Sequence, residues 1–520
     1  MDSNFFRKTN DVYCVPDLLR LLKADHLLHI RGVDVLNYLS CDIALLERRS
    51  KIFYDTDHIA GLSELLDRLI TDLSYVADMV KMQSTADESE RGLYSVKQLE
   101  QYFGVIDRAD AFYTKNHAAF TSEDYVSLFG NIHTLASSDE YIRLKKGTAE
   151  LLKKISGIRS ISVGFNFDPS LAPYEAGILS LNDRYIESGA LIDRILRLDT
   201  DTAHTSLAPL VAPKKQCKKN EYEVLNMSLY SALNKVFRRL IKQWEPEVNA
   251  YIAEKLSFLL DVLPDLRFIA EMRKIQQKMS GCGLKLCRPE YRPKEERVFT
   301  ARGLYNPILA MLLAERGKGT VVKNNLSFDK DGTVYLLTGP NNGGKSEFLT
   351  AVCLTQVMAQ LGILVPADSL VISPADTIAL DIPKYSALNE KGRLAEECSV
   401  IAEIFRHLTA YSLALFDEAF SSTSASEAVE LSENVLRALS YKGTRSIYST
   451  HFHQLTGCAE EINSSAGERG KVDFLVAGID GEQNRTYRIH RAAPDGNSYA
   501  KSIAEQYGIR FDLLIKEGES

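Results

Sequence analysis

At 520 residues the chain is too long for one hydrophobic core, so about two to four domains are expected. A hydrophobic fraction of 45% beside 25% charged residues is typical of a soluble globular protein, and no run of about 18 apolar residues is present to cross a membrane. The net charge of −7 gives no overall attraction to nucleic acid and leaves only local contacts possible.

The N-terminus and the cysteines both indicate a cytoplasmic protein. The first residues, MDSNFFRKTNDVYC, are too polar for a secretory signal. Eight cysteines are scattered along the chain without a CxxC pair, which favours reduced thiols over zinc ligands or disulfides.

Residues 1–295 have mainly helical patterns and are predicted to form an α-helical domain. Within GLSELLDRLITDLSYVADMV, apolar residues recur at spacings of four and three, which predicts one buried seam along a helix. The seam consists of Leu62, Leu66, Leu69, Leu73, Val76 and Val80. One exception to the helical pattern is residues 158–181, whose alternation around a Pro/Gly turn predicts a small β-hairpin.

Residues 296–520 alternate between strand and helix patterns. Short apolar runs such as TVYLLTG, AYSLALFDEA and TRSIYSTH are separated by helical segments, and VDFLVAGIDGEQNRTYRIHRAA reads as a hairpin. Such alternation predicts a largely parallel sheet that binds ligands at the carboxyl ends of its strands. The predicted fold is therefore a multidomain protein with an all-α domain followed by an α/β domain.

A glycine-rich loop gives the α/β domain its first chemical signal. The segment from Gly339 to Ser346 fits G-x-x-x-x-G-K-[S/T], follows a predicted strand and opens a predicted helix. Lys345 would neutralise the β- and γ-phosphates of a nucleotide, and Ser346 would offer its hydroxyl to Mg²⁺. The predicted phosphate-contacting residues are Gly339, Pro340, Asn341, Asn342, Gly343, Gly344, Lys345, Ser346 and Glu347.

Two acids follow at the end of the strand LALFDEA. Burying Asp417 and Glu418 costs free energy unless they meet a cation or water. Asp417 is predicted to hold Mg²⁺ through water, and Glu418 to orient or deprotonate the attacking water. The alternative is a strand that simply ends in acidic turn residues.

A histidine completes the predicted site. In YSTHFHQL, His451 ends the next strand and could sense the γ-phosphate while helping to place the attacking water. His453 competes for this role, although it falls where a helix is predicted to begin. An ordinary histidine at a strand end is the structural alternative.

Over residues 300–510 the sequence resembles the ATPase domain of the MutS family. The resemblance rests on GPNNGGKS, LGILVPADSLVISPADTI, LALFDEAFSSTSASEA, STHFHQLTG and NSYAKSIAEQYGI. Over residues 1–295 the similarity is weaker: VLNYLSCDIALLERRSKIFYD is similar to the helical core of the family, and GFNFDPSLAPYEAGILSLND resembles segments of shorter MutS-like proteins.

This resemblance implies an ABC-type ATPase that uses ATP and Mg²⁺ and forms a homodimer head to tail, with each site completed by a signature segment of the other subunit. GRLAEECSVIAEIF (392–405) occupies that place, and Cys398, Ser399 and Glu403 are the nearest matches to a Ser-Thr-Phe-x-x-Glu pattern. Ser399 at a helix start could donate to a γ-phosphate across the interface, or it could be a plain N-cap.

The chain departs from the family upstream of the loop. The family places an aromatic residue there to stack on adenine, whereas TVVKNNLSF offers Val321 or Val322 to pack against the base. Asn324 is a further candidate nucleotide contact, with a turn asparagine as the alternative.

Mismatch-recognising members of the family carry two further N-terminal domains and a Phe-x-Glu wedge, which are not expected here. The lysine cluster PKKQCKKN (213–220) could contact DNA phosphates or form a solvated loop. The leading hypothesis is a dimeric ATP-driven conformational switch that acts on DNA structures in repair or recombination without mismatch recognition. The alternative is a nucleotide-gated scaffold for RNA or a protein partner, and an ABC transporter subunit fits poorly.

Overall fold

The computed structural model describes residues 11–25, 28, 34–85, 88–156, 159–167, 169, 173–185, 187–188, 205–206, 245–317, 319–340, 342–382, 392–466, 469–480 and 485–494. These residues divide into two compact units, the first within Ile59–Arg267 and the second within Phe5–His58 together with Phe268–Ser520. Across the described ranges, every helix is too short or too polar to cross a lipid bilayer.

The N-terminal elements belong to the second unit, although the sequence predicts a single helical domain over residues 1–295. They are strand β1 (Tyr13–Cys14), helix α1 (Leu18–Leu21), a 3₁₀ turn (Val35–Tyr38) and helix α2 (Ile43–His58). Contacts with distant parts of the chain place these elements in the second unit. Strand β1 pairs with the strand that begins at Thr377, and α2 packs on the helix that follows the glycine-rich loop.

The first unit is mainly helical. It contains α3 (Leu62–Thr85), α4 (Glu88–Asn116), α5 (Glu123–Ala136), α6 (Asp139–Ser156), α7 (Glu245–Tyr251) and α8 (Ser257–Asp261), with a 3₁₀ turn at His117–Ala119 and a π-helical turn at Ile252–Leu256. Helix α4 lies at its centre and contacts α3, α5, α6 and α7.

Five of the six predicted seam residues of α3 are buried, from Leu62 to Val76. The sixth prediction is wrong: Val80 is 39% exposed, and Met79 is buried in its place. A spacing of three from Val76 keeps the side chain on the buried face, because a helix turns once every 3.6 residues.

A β-hairpin accompanies these helices where the alternation predicts one. Strands β2 (Ser160–Phe167) and β3 (Pro173–Asn182) pair antiparallel, and the two-residue strands β4 (Glu187–Ser188) and β5 (Thr205–Ser206) pair parallel. The lysine cluster at 213–220 lies outside the described residues.

A seven-stranded sheet organises the second unit. Its order is β1-β11-β12-β13-β9-β14-β15, with β9 (Val334–Thr338), β11 (Thr377–Asp381), β12 (Leu413–Asp417), β13 (Arg445–Ser449), β14 (Val472–Ile479) and β15 (Arg485–Arg491). All neighbours are parallel except β14 and β15, which form the predicted hairpin. Every residue of β9, β12 and β13 is buried, as expected for parallel strands covered by helices.

Helices and a smaller sheet surround these strands. The remaining helices are α9 (Leu263–Gly281), α10 (Pro307–Glu315), α11 (Lys345–Leu361), α12 (Arg393–His407), α13 (Ala425–Lys442) and α14 (Leu455–Ala466), with a 3₁₀ turn at Lys294–Glu296. A four-stranded sheet has the order β6-β10-β7-β8, from β6 (Glu290–Tyr291), β7 (Phe299–Leu304), β8 (Asn324–Phe328) and β10 (Ser369–Ile372). The protein is thus a multidomain protein of helices and mixed sheets.

Candidate functional site

The glycine-rich loop connects the central strand β9 to helix α11. Gly339 has a φ of 137°, and a Cβ there would lie 2.7 Å from the Cβ of Ala477, so a larger residue would clash with β14. Gly344 precedes the helix with a φ of 89°, a backbone conformation that glycine adopts without strain. Asn342 also has a left-handed backbone, with a φ of 60°, and Asn341 lies outside the described residues.

The loop closes around the side chain of Lys345. This lysine is only 5% exposed, and its Nζ donates to the carbonyl oxygens of Gly339 at 3.0 Å and Pro340 at 3.4 Å. Its third neighbour is Glu418, whose Oε1 lies 3.5 Å from Nζ. The predicted lysine and one of the two predicted acids are therefore in direct contact.

Asp417 ends strand β12 and is buried beside the start of α11. Burial raises the pKa of its carboxyl, and the nearby hydroxyls of Ser346 and Ser449 partly oppose this effect. The Oδ1 atom is buried and has no hydrogen-bond partner among the described residues. A buried carboxylate oxygen without a partner, close to a serine hydroxyl, suits a hard cation such as Mg²⁺.

Glu418 turns out of the strand into a strained backbone conformation. Its φ is 49°, uncommon for a residue with a side chain, and its N–H donates to the carbonyl oxygen of Ser449 at 3.0 Å. This turn directs the carboxylate between two cationic or potentially cationic groups, because Oε1 lies 3.5 Å from Lys345 Nζ and 4.0 Å from His451 Nδ1. Strain of this kind is concentrated at functional sites in proteins.

Of the two candidate histidines, His451 faces Glu418. Its ring is partly exposed and packs on that of Phe452, with 4.2 Å between ring centroids. The Nδ1 atom of His453 is instead buried without a hydrogen-bond partner among the described residues. This geometry favours His451 for the predicted role.

Two predicted nucleotide contacts have partners within the protein. The side-chain amide of Asn324 donates to the carbonyl oxygen of Tyr487 at 3.3 Å, and its Oδ1 accepts from the N–H of Ile489 at 2.7 Å. Glu347 accepts a hydrogen bond from Asn306, the residue that caps α10. Asn324 thus joins β8 to β15, and Glu347 joins α11 to the start of α10.

The position of Ser399 differs from the prediction of a helix start. Helix α12 begins at Arg393, with Gly392 before it, so Ser399 lies in the helix interior and cannot be its N-cap. Its side chain is exposed, while Cys398 is half-buried and Glu403 pairs with Arg406 and His407. The contact of Ser399 with a second subunit remains a prediction.

Sequence reasoning missed two residues near the loop. Ser449 lies opposite Asp417 in the pairing of β12 with β13, and it is the serine of the STH segment that carries the family resemblance. Tyr487 on β15 lies against Gly344, although nothing in the sequence marks the change of backbone direction that directs it there. Val321 and Val322, the predicted base contacts, are half-buried just before β8.

Comparison with known proteins finds a matching family model and a group of relatives that share one name. Residues 335–513 match the family model MutS domain V. DNA mismatch repair protein MutS of Lactobacillus delbrueckii subsp. bulgaricus is 30% identical over 281 residues, which are 52% of this chain and 32% of that relative. The protein of the same name from Geobacillus thermodenitrificans is 27% identical over 349 residues, 65% of this chain and 36% of the relative. The chain therefore spans about a third of the length of these curated relatives.

The central parallel sheet, the strand-to-helix glycine loop and the paired acids define an α/β protein with its polar site at the carboxyl ends of the strands. The family match begins within β9 and includes the loop, both acids and His451. By this match, residues 335–513 of the chain belong to the MutS domain V family.

Proposed function

We propose that the chain is a MutS-like, ABC-type ATPase that converts ATP and water to ADP and phosphate. The observation that supports this most strongly is the contact of one carboxylate, Glu418, with both Lys345 and His451 at the mouth of the glycine-rich loop. Asp417 lies beside Ser346 at the same edge of the sheet. Charge of both signs is thus concentrated where a nucleotide phosphate would be held.

Each residue has a distinct role in this proposal. Backbone N–H groups of the loop (Gly339, Pro340, Asn341, Asn342, Gly343 and Gly344) and the start of α11, including Ser346 and Glu347, hold the phosphates. Lys345 Nζ exchanges the loop carbonyls and Glu418 for phosphate oxygens. Glu418 orients the attacking water or accepts its proton, and His451 lies close enough to help place that water.

Mg²⁺ fits the donor set of Ser346 and Asp417. The hydroxyl and the carboxylate are the oxygen ligands this ion prefers, and Asp417 Oδ1 has no other partner among the described residues. When bound, the ion would neutralise negative charge on the phosphates. The chemistry of the protein itself then rests on Lys345, Glu418 and His451.

ATP turnover by the wild type, Lys345→Ala and Glu418→Gln tests the enzymatic proposal. Both variants should lose at least about 100-fold in turnover, because each lacks a charge proposed to act on the reacting groups. Lys471→Ala and Glu461→Gln are matched controls, since both residues form surface ion pairs elsewhere in the second unit. Equal turnover in all five proteins would contradict the proposal.

We further propose that the ATPase unit forms a homodimer and that the protein acts on DNA structures without mismatch recognition. The relatives are named DNA mismatch repair proteins, and Ser399 is exposed on α12, where a second subunit could reach it. ATP binding across the two subunits would favour one arrangement of the helical unit, and hydrolysis would release it.

Sedimentation of Glu418→Gln with and without ATP tests the dimer, and Ser399→Ala tests the contact across it. The dimer should form with ATP and weaken in the Ser399→Ala background. Titration with duplex, branched and single-stranded DNA and with RNA, at two salt concentrations, tests the ligand. Salt-dependent affinity for DNA supports the proposal, whereas binding to RNA alone, or to neither, favours the nucleotide-gated scaffold.

A further inference from the structure

Ser449 ends strand β13 with a buried hydroxyl that has no partner. The residue is 0% exposed, and its Oγ has no hydrogen-bond partner among the described residues. Two other hydroxyls on the same strand are bonded: Ser446 Oγ donates to the carbonyl oxygen of Thr444 at 3.2 Å, and the Tyr448 hydroxyl lies 2.6 Å from Ser432 Oγ. Because an unpaired buried hydroxyl destabilises a folded protein, its presence here requires an explanation.

This hydroxyl lies beside the buried acid of the candidate cation site. Ser449 is the pairing partner of Asp417 in the parallel register of β12 and β13, and the side chains of paired residues point to the same face of a sheet. The carboxyl of Asp417 is flanked by the hydroxyls of Ser346 and Ser449. Its Oδ1 atom also lacks a hydrogen-bond partner among the described residues. Two neighbouring buried side chains thus each have an oxygen atom without a partner.

The backbone around Ser449 is held on both sides. Its carbonyl oxygen accepts from Glu418 N–H at 3.0 Å, and the N–H of the next residue, Thr450, donates to the carbonyl oxygen of Leu337 on β9 at 3.0 Å. Strand β9 leads directly into the glycine-rich loop. Ser449 therefore occupies a fixed position between the strand that carries the acids and the strand that carries the loop.

We propose that Ser449 is a positioning residue for Asp417 when a cation is bound. Its hydroxyl donates to the carboxylate of Asp417 and thereby holds the other carboxylate oxygen in the direction of the ion. The proposal rests on the proposed ATPase function and adds a residue that sets the affinity of its site for Mg²⁺. Removing a group that orients a metal ligand typically weakens metal binding by about 10- to 100-fold.

Calorimetric binding of a nonhydrolysable ATP analogue, with saturating Mg²⁺ and with EDTA, tests the proposal. The ratio of the two affinities is the gain from Mg²⁺. Ser449→Ala should keep the affinity measured in EDTA and lose roughly tenfold of this gain. Ser449→Thr should keep the gain, because it retains the hydroxyl.

Ser446→Ala is the matched control. Ser446 is an equally buried serine three residues earlier on β13, so its side chain points to the opposite face of the sheet. The control should keep the gain from Mg²⁺ but lower the urea midpoint of unfolding, because it loses the bond to Thr444. Metal-free Ser449→Ala should unfold at the wild-type midpoint or above it, because it removes an unsatisfied hydroxyl.

A role through Asp417 is tested by combining the substitutions. Asp417→Asn should itself reduce the gain from Mg²⁺, and adding Ser449→Ala to it should cause no further reduction. Fully additive losses would contradict a role of Ser449 through Asp417.

Four outcomes would overturn the proposal. They are an unchanged gain in Ser449→Ala, an equal loss in Ser449→Thr, an equal loss in Ser446→Ala, and a loss of affinity in Ser449→Ala that is as large in EDTA as in Mg²⁺. If wild type bound the analogue equally well with and without Mg²⁺, the cation site and the role of Ser449 would both fail while nucleotide binding stood. If wild type bound no analogue at all, the proposed ATPase function itself would fail.

Discussion

The Nζ atom of Lys345 and the Oε1 atom of Glu418 lie 3.5 Å apart, and the lysine is almost fully buried in the loop. The two charges therefore stabilise each other at the point where we propose that phosphate binds. A phosphate group and the carboxylate of Glu418 compete for the same ammonium group, since both are negative.

Removing the charge of Glu418 should consequently have opposite effects on binding and on turnover. We predict that Glu418→Gln binds ATP several-fold more tightly than the wild type, while its turnover falls by at least about 100-fold. Calorimetric affinities and steady-state turnover measure the two effects. Glu461→Gln, on the surface of α14, should change neither. Weaker ATP binding by Glu418→Gln would show that the carboxylate does not compete with phosphate.

Asp417 illustrates a conflict between stability and function. Its carboxylate is buried and its Oδ1 has no hydrogen-bond partner among the described residues, so it destabilises the folded protein unless a cation is bound. We predict that Asp417→Asn stabilises the protein by roughly 1 kcal/mol in the absence of Mg²⁺ and nucleotide. In the wild type, Mg²⁺ should increase the stabilisation of the folded protein by ATP, and Asp417→Asn should lose this increase.

Thermal unfolding with and without Mg²⁺ and ATP measures both parts. Asp331→Asn is the control, because Asp331 is an exposed acid that pairs with Lys471 at the surface. A lower unfolding temperature for metal-free Asp417→Asn, or an unchanged response to Mg²⁺, would contradict the assignment of Asp417 as a cation ligand.

The central elements of the site could be predicted from sequence because they depend on local patterns. The strand, the glycines and the helix around Lys345 are contiguous, and the acids directly end a run of apolar residues. The pairing of β1 with β11 joins residues more than 300 positions apart, and no local pattern specifies such a partner. The same holds for Tyr487, whose orientation depends on a bulge that Asn324 stabilises from another strand.

Ser399 shows a different limit of local patterns. Helix α12 extends from Arg393 to His407, so the predicted helix start falls in its interior. Serine favours N-caps, but that preference is worth only about 1 kcal/mol. The buried residues Ile401 and Ile404 both follow Ser399, and the helix already includes residues 393–398 before it, so Ser399 lies inside a continuous helix.

Glu397 on α12 provides a prediction that depends on pH. Burial raises the pKa of its carboxyl, partly opposed by the side chain of Ser422 and the backbone of Phe420, and its Oε2 has no hydrogen-bond partner among the described residues. Because the pKa is higher in the folded than in the unfolded protein, the ionised form costs stability above the ordinary pKa range of glutamate. That cost disappears when the pH falls below this range and both states are protonated.

Glu397→Gln should therefore raise the free energy of unfolding at pH 8 and have almost no effect on it near pH 4. Urea unfolding at pH 8, 6 and 4 measures this trend. Glu427→Gln is a contrasting control, because hydrogen bonds from Thr423 and Ser424 lower the pKa of Glu427. Its substitution should therefore not stabilise the protein at pH 8. If Glu397→Gln raised the free energy of unfolding by the same amount at every pH, ionisation of Glu397 would be excluded as the cause.

Arg445 is a fully buried arginine that stabilises the sheet through carbonyl groups. Its guanidinium donates to the carbonyl oxygens of Val298, Ser373, Pro374 and Tyr411 at 3.0–3.4 Å, and burial lowers its pKa to about 10. Arg445→Met should destabilise the second unit by about 3 kcal/mol or more, since several buried acceptors would lose their donor. Urea unfolding measures the loss, and Arg406→Met on the exposed side of α12 should cost less than 1 kcal/mol. Equal effects would contradict this role.

Gln360 connects the N-terminal segment to the sheet and tests whether that segment belongs to the second unit. Its amide donates to the carbonyl oxygens of Ser40 at 3.0 Å and Ala375 at 2.9 Å, and its Oε1 accepts from Ala375 N–H at 3.0 Å. The side chain is buried, so losing these bonds leaves backbone groups unsatisfied on both sides. We predict that Gln360→Met destabilises the second unit by roughly 2–3 kcal/mol.

Gln276 on α9 is the matched control. It is equally buried, but neither polar atom of its amide has a hydrogen-bond partner among the described residues. Gln276→Met should therefore be neutral or stabilising, because it replaces an unsatisfied polar group by an apolar one of similar size. Two separate measurements on the full chain compare the variants: urea unfolding, and limited proteolysis of the folded protein. Gln360→Met should speed cleavage of residues 34–58 and lower the unfolding midpoint together. Cleavage of this segment without any loss of stability in the second unit would show that the N-terminal elements are not part of it.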